Sequence, residues 1–381
     1  MASKRVAIAL LLVLSGCGGL RMERYLRQQE DDWPTFARGA TRTAVASSQV
    51  TPPLTLAWEQ DVTAGVGNGS PVIVDSVVFV TNLRGELYAI AARTGRVIGW
   101  VGLGDAIQGS PVVDGSTVFM ALSNTRESLV AYDLFEGKVR WKKNFGDIET
   151  SPLLYDQHLY IGNISGQFFC VHRGSGDEVW KFELPANKTL KGIRSSAAAD
   201  SGTVVFGADD GWIFALRSGS GALLWKFNTG APVSASPLID GGMVIVGNRS
   251  GEVIALARST GSLLWRCDTR ESIVANAVPA GECVVVGTLA GTALGLRTRD
   301  GQQLWRTSLS GPISAGGAVA GTTVFVGTLR KQIYALDAGS GRVIWNESAD
   351  GRIRTSPAAA FGHLYIATDE HSVLAYREAA Q

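Results

Sequence analysis

A tryptophan returns about every forty residues in one setting, and no other feature constrains the fold as strongly. It ends Gly-led segments such as GKVRW, GALLW and GSLLW, at Trp100, Trp141, Trp180, Trp225, Trp265, Trp305 and Trp345. A less regular copy, LTLAW, precedes them at Trp58, and the successive spacings are 42, 41, 39, 45, 40, 40 and 40 residues. A fixed period of roughly 20–50 residues marks a repeat architecture, in which one supersecondary unit is stacked on its neighbours. Function then belongs to the assembled surface, because no single repeat carries a catalytic constellation.

Each period has the same internal grammar. Ser-Pro opens it at Ser70-Pro71, Ser110-Pro111, Ser151-Pro152, Ser236-Pro237 and Ser356-Pro357, and looser copies begin near Ser196, Asn276 and Gly316. Two short β-branched runs around a turn follow, then an apolar strand such as GELYAI or GEVIAL, then a Gly-bearing turn and the Trp strand. Apolar runs of this length punctuated by Gly, Asp and Asn are strand and hairpin signals. Between residues 50 and 381 no segment has the pattern of an amphipathic helix. Four antiparallel strands in about forty residues make a propeller blade. The prediction is an all-β fold: an eight-bladed β-propeller of four-stranded antiparallel blades.

Closure is also legible. The last repeat, Ser356 to Tyr376, supplies three strands and has no Trp strand, whereas Trp58 lies before the first opener. Residues 54–62 (LTLAWEQDV) are therefore expected to complete the last blade, so that an N-terminal strand closes the ring and removes an open edge. The eight tryptophans are expected to wedge between blades. Each would bury roughly 150–250 Å², a stabilisation of a few kcal/mol at about 25 cal/mol per Å².

The chain opens with Lys4-Arg5, the apolar run Val6–Leu14, and Leu14-Ser15-Gly16-Cys17. A basic start, a short apolar core and small residues form a secretory signal rather than a span, which needs about 20 apolar residues. LSGC resembles the bacterial lipobox, which implies a lipidated Cys17 as mature N-terminus, and Gly18 after it favours the outer membrane. The expected division is a signal peptide (1–16), a lipidated N-terminus and tether (17–49), and a propeller (50–381). RMERYLRQQEDDW could wind into a helical turn or two, and Trp33 and Phe36 are expected to pin the following stretch to the propeller.

There are 35 basic side chains, two of them (Lys4 and Arg5) in the leader, against 34 acidic ones. So balanced a surface offers no electrostatic case for nucleic acid. Cysteine is scarce: beyond Cys17 only Cys170, Cys267 and Cys283 remain, an odd number that leaves at least one free thiol. Cys170 falls in an apolar strand. Cys267 and Cys283 could meet on neighbouring strands or loops, and the sequence leaves their pairing open. The histidines, His158, His172, His363 and His371, are scattered without zinc spacing, so no metal is assigned; His158 and His363 both start a second strand, a packing position.

The segments ALDAGSGRVIW (Ala335–Trp345) and AYDLFEGKVRW (Ala131–Trp141) carry A-x-D-x-x-[ST]-G-x-x-x-W in full or in outline. They resemble the repeats of the pyrroloquinoline-quinone-like propeller family, and the resemblance runs from about Pro53 to the end. The lead WPTFARGATRTAVA is similar to that of many bacterial members. WD40 repeats have a similar period but place Asp after Trp, where this chain has Glu59, Val101, Lys142, Lys181, Lys226, Arg266, Arg306 and Asn346.

Two functional classes share such repeats. Quinoprotein dehydrogenases hold quinone and Ca²⁺ at the axis; those resembling methanol dehydrogenase use a catalytic Asp, Ca²⁺ ligands and an adjacent Cys-Cys pair. No two cysteines are adjacent here, and no clustered oxygen donors are evident for Ca²⁺. No enzyme and no cofactor is therefore expected. The architecture of lipobox, short lead and eight blades is closest to the BamB family, lipoproteins of the outer-membrane β-barrel assembly machine. That resemblance implies a lipid-anchored scaffold on the periplasmic face of the outer membrane, partnered by the barrel-assembly core protein or other envelope proteins. It also points to Leu190 and Arg194, which lie in the long connection where the Trp spacing reaches 45. The family's acidic loop has no counterpart, since GAPVSASPLID keeps only Asp240. The alternatives are a propeller that binds a small ligand or an unrelated envelope protein and, third, a quinone-dependent dehydrogenase.

Aligning the openers yields one further set. Two residues before each Ser or its replacement stand Asn68, Gln108, Glu149, Arg194, Ser234, Val274, Ser314 and Arg354. If the opener strand is innermost, these side chains form a collar at one mouth of the axial channel. Gln108, Glu149, Arg194 and Arg354 make it polar enough to hold an anion or an extended peptide. The plainer reading is a ring of hydrated side chains.

Overall fold

The computed structural model describes residues 19–123, 125–185 and 192–379. Eight four-stranded antiparallel sheets stand around a common axis, and no helix occurs among the described residues. In chain order, the innermost strands of blades 1 to 8 are Val72–Val74, Val112–Asp114, Leu153–Tyr155, Ala198–Asp200, Leu238–Asp240, Val278–Ala280, Ala318–Ala320 and Ala358–Ala360. Each begins two residues after its opener, so the openers sit on one face of the ring, here the upper face. The second and third strands of every blade are apolar and buried, because each is covered by a neighbouring blade on both sides. Blade 8 takes its outer strand from Leu54–Asp61, which pairs antiparallel with Ser372–Glu378. The ring is closed as the repeat count requires.

The recurrent geometry of the Trp strand has a plain cause. Trp58, Trp141, Trp180, Trp225, Trp265 and Trp305 each donate the indole N–H to a backbone carbonyl of the next blade, at 2.7–3.1 Å. The ring lies on the turn glycine of that blade. At Gly261, with φ +69°, an added Cβ would stand 2.6 Å from the Trp225 ring, so both the backbone conformation and the packing demand glycine.

Trp100 departs from this pattern. In blade 1 the register position filled elsewhere by Trp is held by Gly99, opposite Ala89, and Trp100 is one residue further, opposite Tyr88. A one-residue shift sends a side chain to the other face of the sheet. Trp100 accordingly stacks on Tyr88 at 6.1 Å and is 39 % exposed, against 8 % for Trp225. It is not inter-blade packing in the sense expected from the sequence.

The stretch read as a tether is, over its described residues, part of the packed body. Leu20, Met22 and Leu26 are buried against blades 1 and 2, and the Tyr132 hydroxyl donates to the Leu20 carbonyl at 2.6 Å. Residues 22–32 form no helix. Trp33 and Phe36 are buried, and Trp33 bridges to Ile73 of the blade 1 inner strand. The segment continues across the ring: Pro34, Ala40, Thr41 and Ala44 accept the N–H groups of Val113, Ala199, Ile239 and Val319 at 2.8–2.9 Å. It thus engages the inner strands of blades 1, 2, 4, 5 and 7. This strap runs along the inner strands where they surround the axis.

Cys170, Cys267 and Cys283 are all free. The Cys283 thiol faces the Ala280 and Ala338 carbonyls at 3.2 and 3.3 Å, whereas Cys267 sits opposite Val253 on the outer strand of blade 5. Their blades present them to different neighbours. His158 and His363 do begin second strands, each ring nitrogen within 2.8 Å of the carbonyl two residues earlier.

Candidate functional site

The opener serines build the rim of the axis. The Ser70 N–H donates to Ser110 Oγ at 2.7 Å, Ser110 to Ser151 at 2.9 Å, Ser151 to Ser196 at 2.9 Å, and Ser196 to Ser236 at 3.1 Å. A short hydroxyl side chain at this position ties blades 1 to 5 in succession, which accounts for Ser in those repeats. The relay stops where the sequence changes to Asn276 and Gly316. There the Asn276 amide occupies the space that a Cβ on Gly316 would need.

Above these serines lies a cavity of about 350 Å³. Seven of the eight collar positions line it: Asn68, Glu149, Arg194, Ser234, Val274, Ser314 and Arg354. Gln108 stands at its edge; its carbonyl accepts the Asn68 N–H at 2.9 Å. Phe36 also lines the cavity, so the strap forms its floor. Below, Arg42 has no exposed surface. It donates to the Ala197 carbonyl at 2.8 Å, to the Phe36 carbonyl at 2.6 Å and to Thr35 Oγ1 at 3.3 Å, with its guanidinium 5.2 Å from the Phe36 ring centre. Burial pushes its pKa down to about 9, which leaves it charged at neutral pH.

A second ring follows the first at a constant offset of fifteen residues. Arg194 pairs with Asp209, Arg354 lies 3.4 Å from Asp369, and Ser234 Oγ accepts from Arg249 Nε at 3.0 Å. Arg194 Nε also donates to Glu149 at 2.9 Å. Partial burial opposes the Arg194 charge, but Asp209 and Glu149 outweigh it and raise the pKa above the ordinary arginine value. Arg354 shares Asp369 with Arg352, whose Nε is 2.6 Å from the carboxylate. Arg249 forms no ion pair among the described residues.

The structure therefore brings Glu149, Arg194 and Arg354 to one cavity with Gln108 beside it. Cys17 and Leu190 lie outside the described residues. Sequence reasoning missed Arg249, Asp209 and Asp369, which stand in the turn between second and third strands. Their common offset from the collar was the signal that could have found them.

The sequence model of the family described as "Outer membrane protein assembly factor BamB" matches residues 55–121, 101–182, 171–313 and 296–380, and so the whole ring. The chain belongs to the BamB family. It is 24 % identical to BamB of Escherichia coli K12 over 199 residues, 48 % of this chain and 49 % of that protein. The match thus spans about half the length of that BamB relative. The crystal structure of BamB from Moraxella catarrhalis superposes with a TM-score of 0.74 at 19 % identity, covering 85 % of this chain and 99 % of that one. Quinohemoprotein alcohol dehydrogenase from Comamonas testosteroni superposes with a TM-score of 0.76 at 14 % identity, covering 92 % and 81 %. At these identities the two structural likenesses establish the fold and no more.

Proposed function

We propose that this chain is a non-catalytic, lipid-anchored scaffold at the periplasmic face of the outer membrane, which assists assembly of outer-membrane β-barrel proteins. The observation that carries the reading is the BamB family match across all eight blades. The LSGC segment supports the anchor, and Arg194 supports a docking point. Arg194 is held between two carboxylates at the cavity mouth, next to the connection that contains Leu190. Such bracing fixes the guanidinium while leaving N–H donors for a partner. The dehydrogenase fold is shared, but the adjacent cysteine pair of the methanol-dehydrogenase type is missing from the sequence.

The test is recovery of the tagged full-length chain from its native membranes in mild detergent, with mass spectrometry of what accompanies it. The central barrel-assembly protein is expected in the wild-type sample and should be lost in Arg194→Glu. Reproducible recovery of a different envelope protein instead would move the function to a scaffold outside barrel assembly.

A further inference from the structure

The axial cavity has two unlike sides. On the side of blades 3 and 4, Glu149 and Asp209 neutralise Arg194. On the side of blades 5 to 8, donors outnumber acceptors. Among the described residues, the Arg249 side chain has only a serine hydroxyl for a partner, and Arg354 shares a carboxylate already engaged by Arg352. Between them, Asn276 Nδ2, Ser314 Oγ and Ser356 Oγ are buried and have no hydrogen-bond partner among the described residues. Asn276 and Ser356 are 5 % and 2 % exposed, and all three residues line the cavity.

A buried polar atom left unpaired costs about 1–3 kcal/mol, and native proteins carry few. Three on one arc of one cavity, flanked by two arginines, are a donor set that lacks its acceptor. Phe36, Val274, Leu289 and Ala315 supply apolar wall beside it. The strap below leaves the upper face as the way in, and about 350 Å³ is at the small end of ligand pockets.

We infer that this cavity binds a carboxylate-bearing ligand end-on, its carboxylate on the arc from Arg249 through Asn276 and Ser314 to Arg354 and its short apolar body against Val274 and Leu289. The carboxylate can come from a free organic acid or from the C-terminal residue of a polypeptide. The site is independent of the barrel-assembly reading, since it needs only the ring and the strap.

The experiment is calorimetric titration of the full-length chain in detergent with three probes: isovalerate, N-acetyl-Gly-Gly-Leu with a free carboxylate, and the same peptide as its C-terminal amide. Binding of either carboxylate probe, with none of the amide, is expected. Isovalerate alone would identify the free acid as the source, and the peptide alone would identify a chain terminus. Arg249→Gln should weaken binding on the order of tenfold or more. Its side chain is surface-exposed and makes one hydrogen bond among the described residues, to a serine, so an unchanged melting temperature will accompany that loss. Absence of binding by both carboxylates, equal binding of the amide, or full affinity in Arg249→Gln would overturn the inference.

Discussion

Leu20 fills the space left open at Gly99, where a Cβ would stand 3.2 Å from the leucine Cδ1. In the other blades that register position belongs to the repeat tryptophan. Its neighbour is replaced as well: the turn glycine of blade 2, Gly137, faces the Arg21 side chain, where Gly261 faces a Trp ring. The N-terminal segment therefore supplies the packing that blade 1 lacks. Leu20→Ala is expected to cost roughly 2–5 kcal/mol, as for a buried Leu, whereas Trp100→Ala should cost about 1 kcal/mol or less. Urea midpoints of the two variants check the ranking; a larger loss in Trp100→Ala contradicts it.

Arg42 locks the strap under the cavity. Replacing it by Met keeps the aliphatic volume but strips hydrogen bonds from the Ala197 and Phe36 carbonyls. Loss of a charged donor to buried acceptors is worth about 3 kcal/mol. Arg42→Met should lower thermal stability and speed proteolysis between residues 36 and 48 before the blades are cut. Intact mass after limited digestion reads this directly.

The serine relay makes a smaller prediction. Ser110→Ala leaves the buried N–H of Ser70 without its acceptor, at about 1–3 kcal/mol. At the end of the relay, Gly316→Ser should be destabilising too, because its Cβ collides with the Asn276 amide. Thermal melts of both variants decide the point: a stabilised Gly316→Ser would mean that the clash with Asn276 is not what interrupts the relay.

The start of the strap depends on pH. Burial opposes the Asp75 charge, but Arg24, the Arg27 N–H and Gln29 outweigh it and hold its pKa below the usual carboxylate range. A depressed folded value stabilises above the unfolded pKa of about 3.9, and the contribution fades as pH falls through the lower folded value. Asp32 acts in the opposite sense: burial raises its pKa, so its protonation on acidification relieves a cost rather than adding one. Residues 24–32 should therefore stay docked at pH 5 and loosen below about pH 4. Arg24→Ala removes the main partner and should move that loosening to higher pH, as followed by amide exchange in this segment.

The propeller was legible because its signals are periodic and redundant. A Trp that must meet a Gly of the next blade, and a Ser that must accept from the preceding one, recur often enough to be read without a structure. Closure followed from counting strands at Trp58 and Tyr376. What escaped was aperiodic. Gly99 and Trp100 differ from their equivalents by one residue of register, which the spacing of 42 hides. Leu20, Met22 and Leu26 look like an ordinary linker until the blade that needs them is in place. The collar was predictable from alignment of the openers, but its pairing was not, because Asp209, Arg249 and Asp369 belong to a different turn.

Residues 20–48 are a working part of the propeller, packing blade 1 and sealing one end of its channel. Hydrogen exchange of the full-length chain at neutral pH tests this most directly. The amides of Trp33 and Ala46, bonded to inner strands at 2.7 Å, should exchange as slowly as those of Ile73 and Val319, to which they are paired. Exchange of this segment within seconds, with the blades still protected, would return it to the role of a tether and contradict its place in the folded ring.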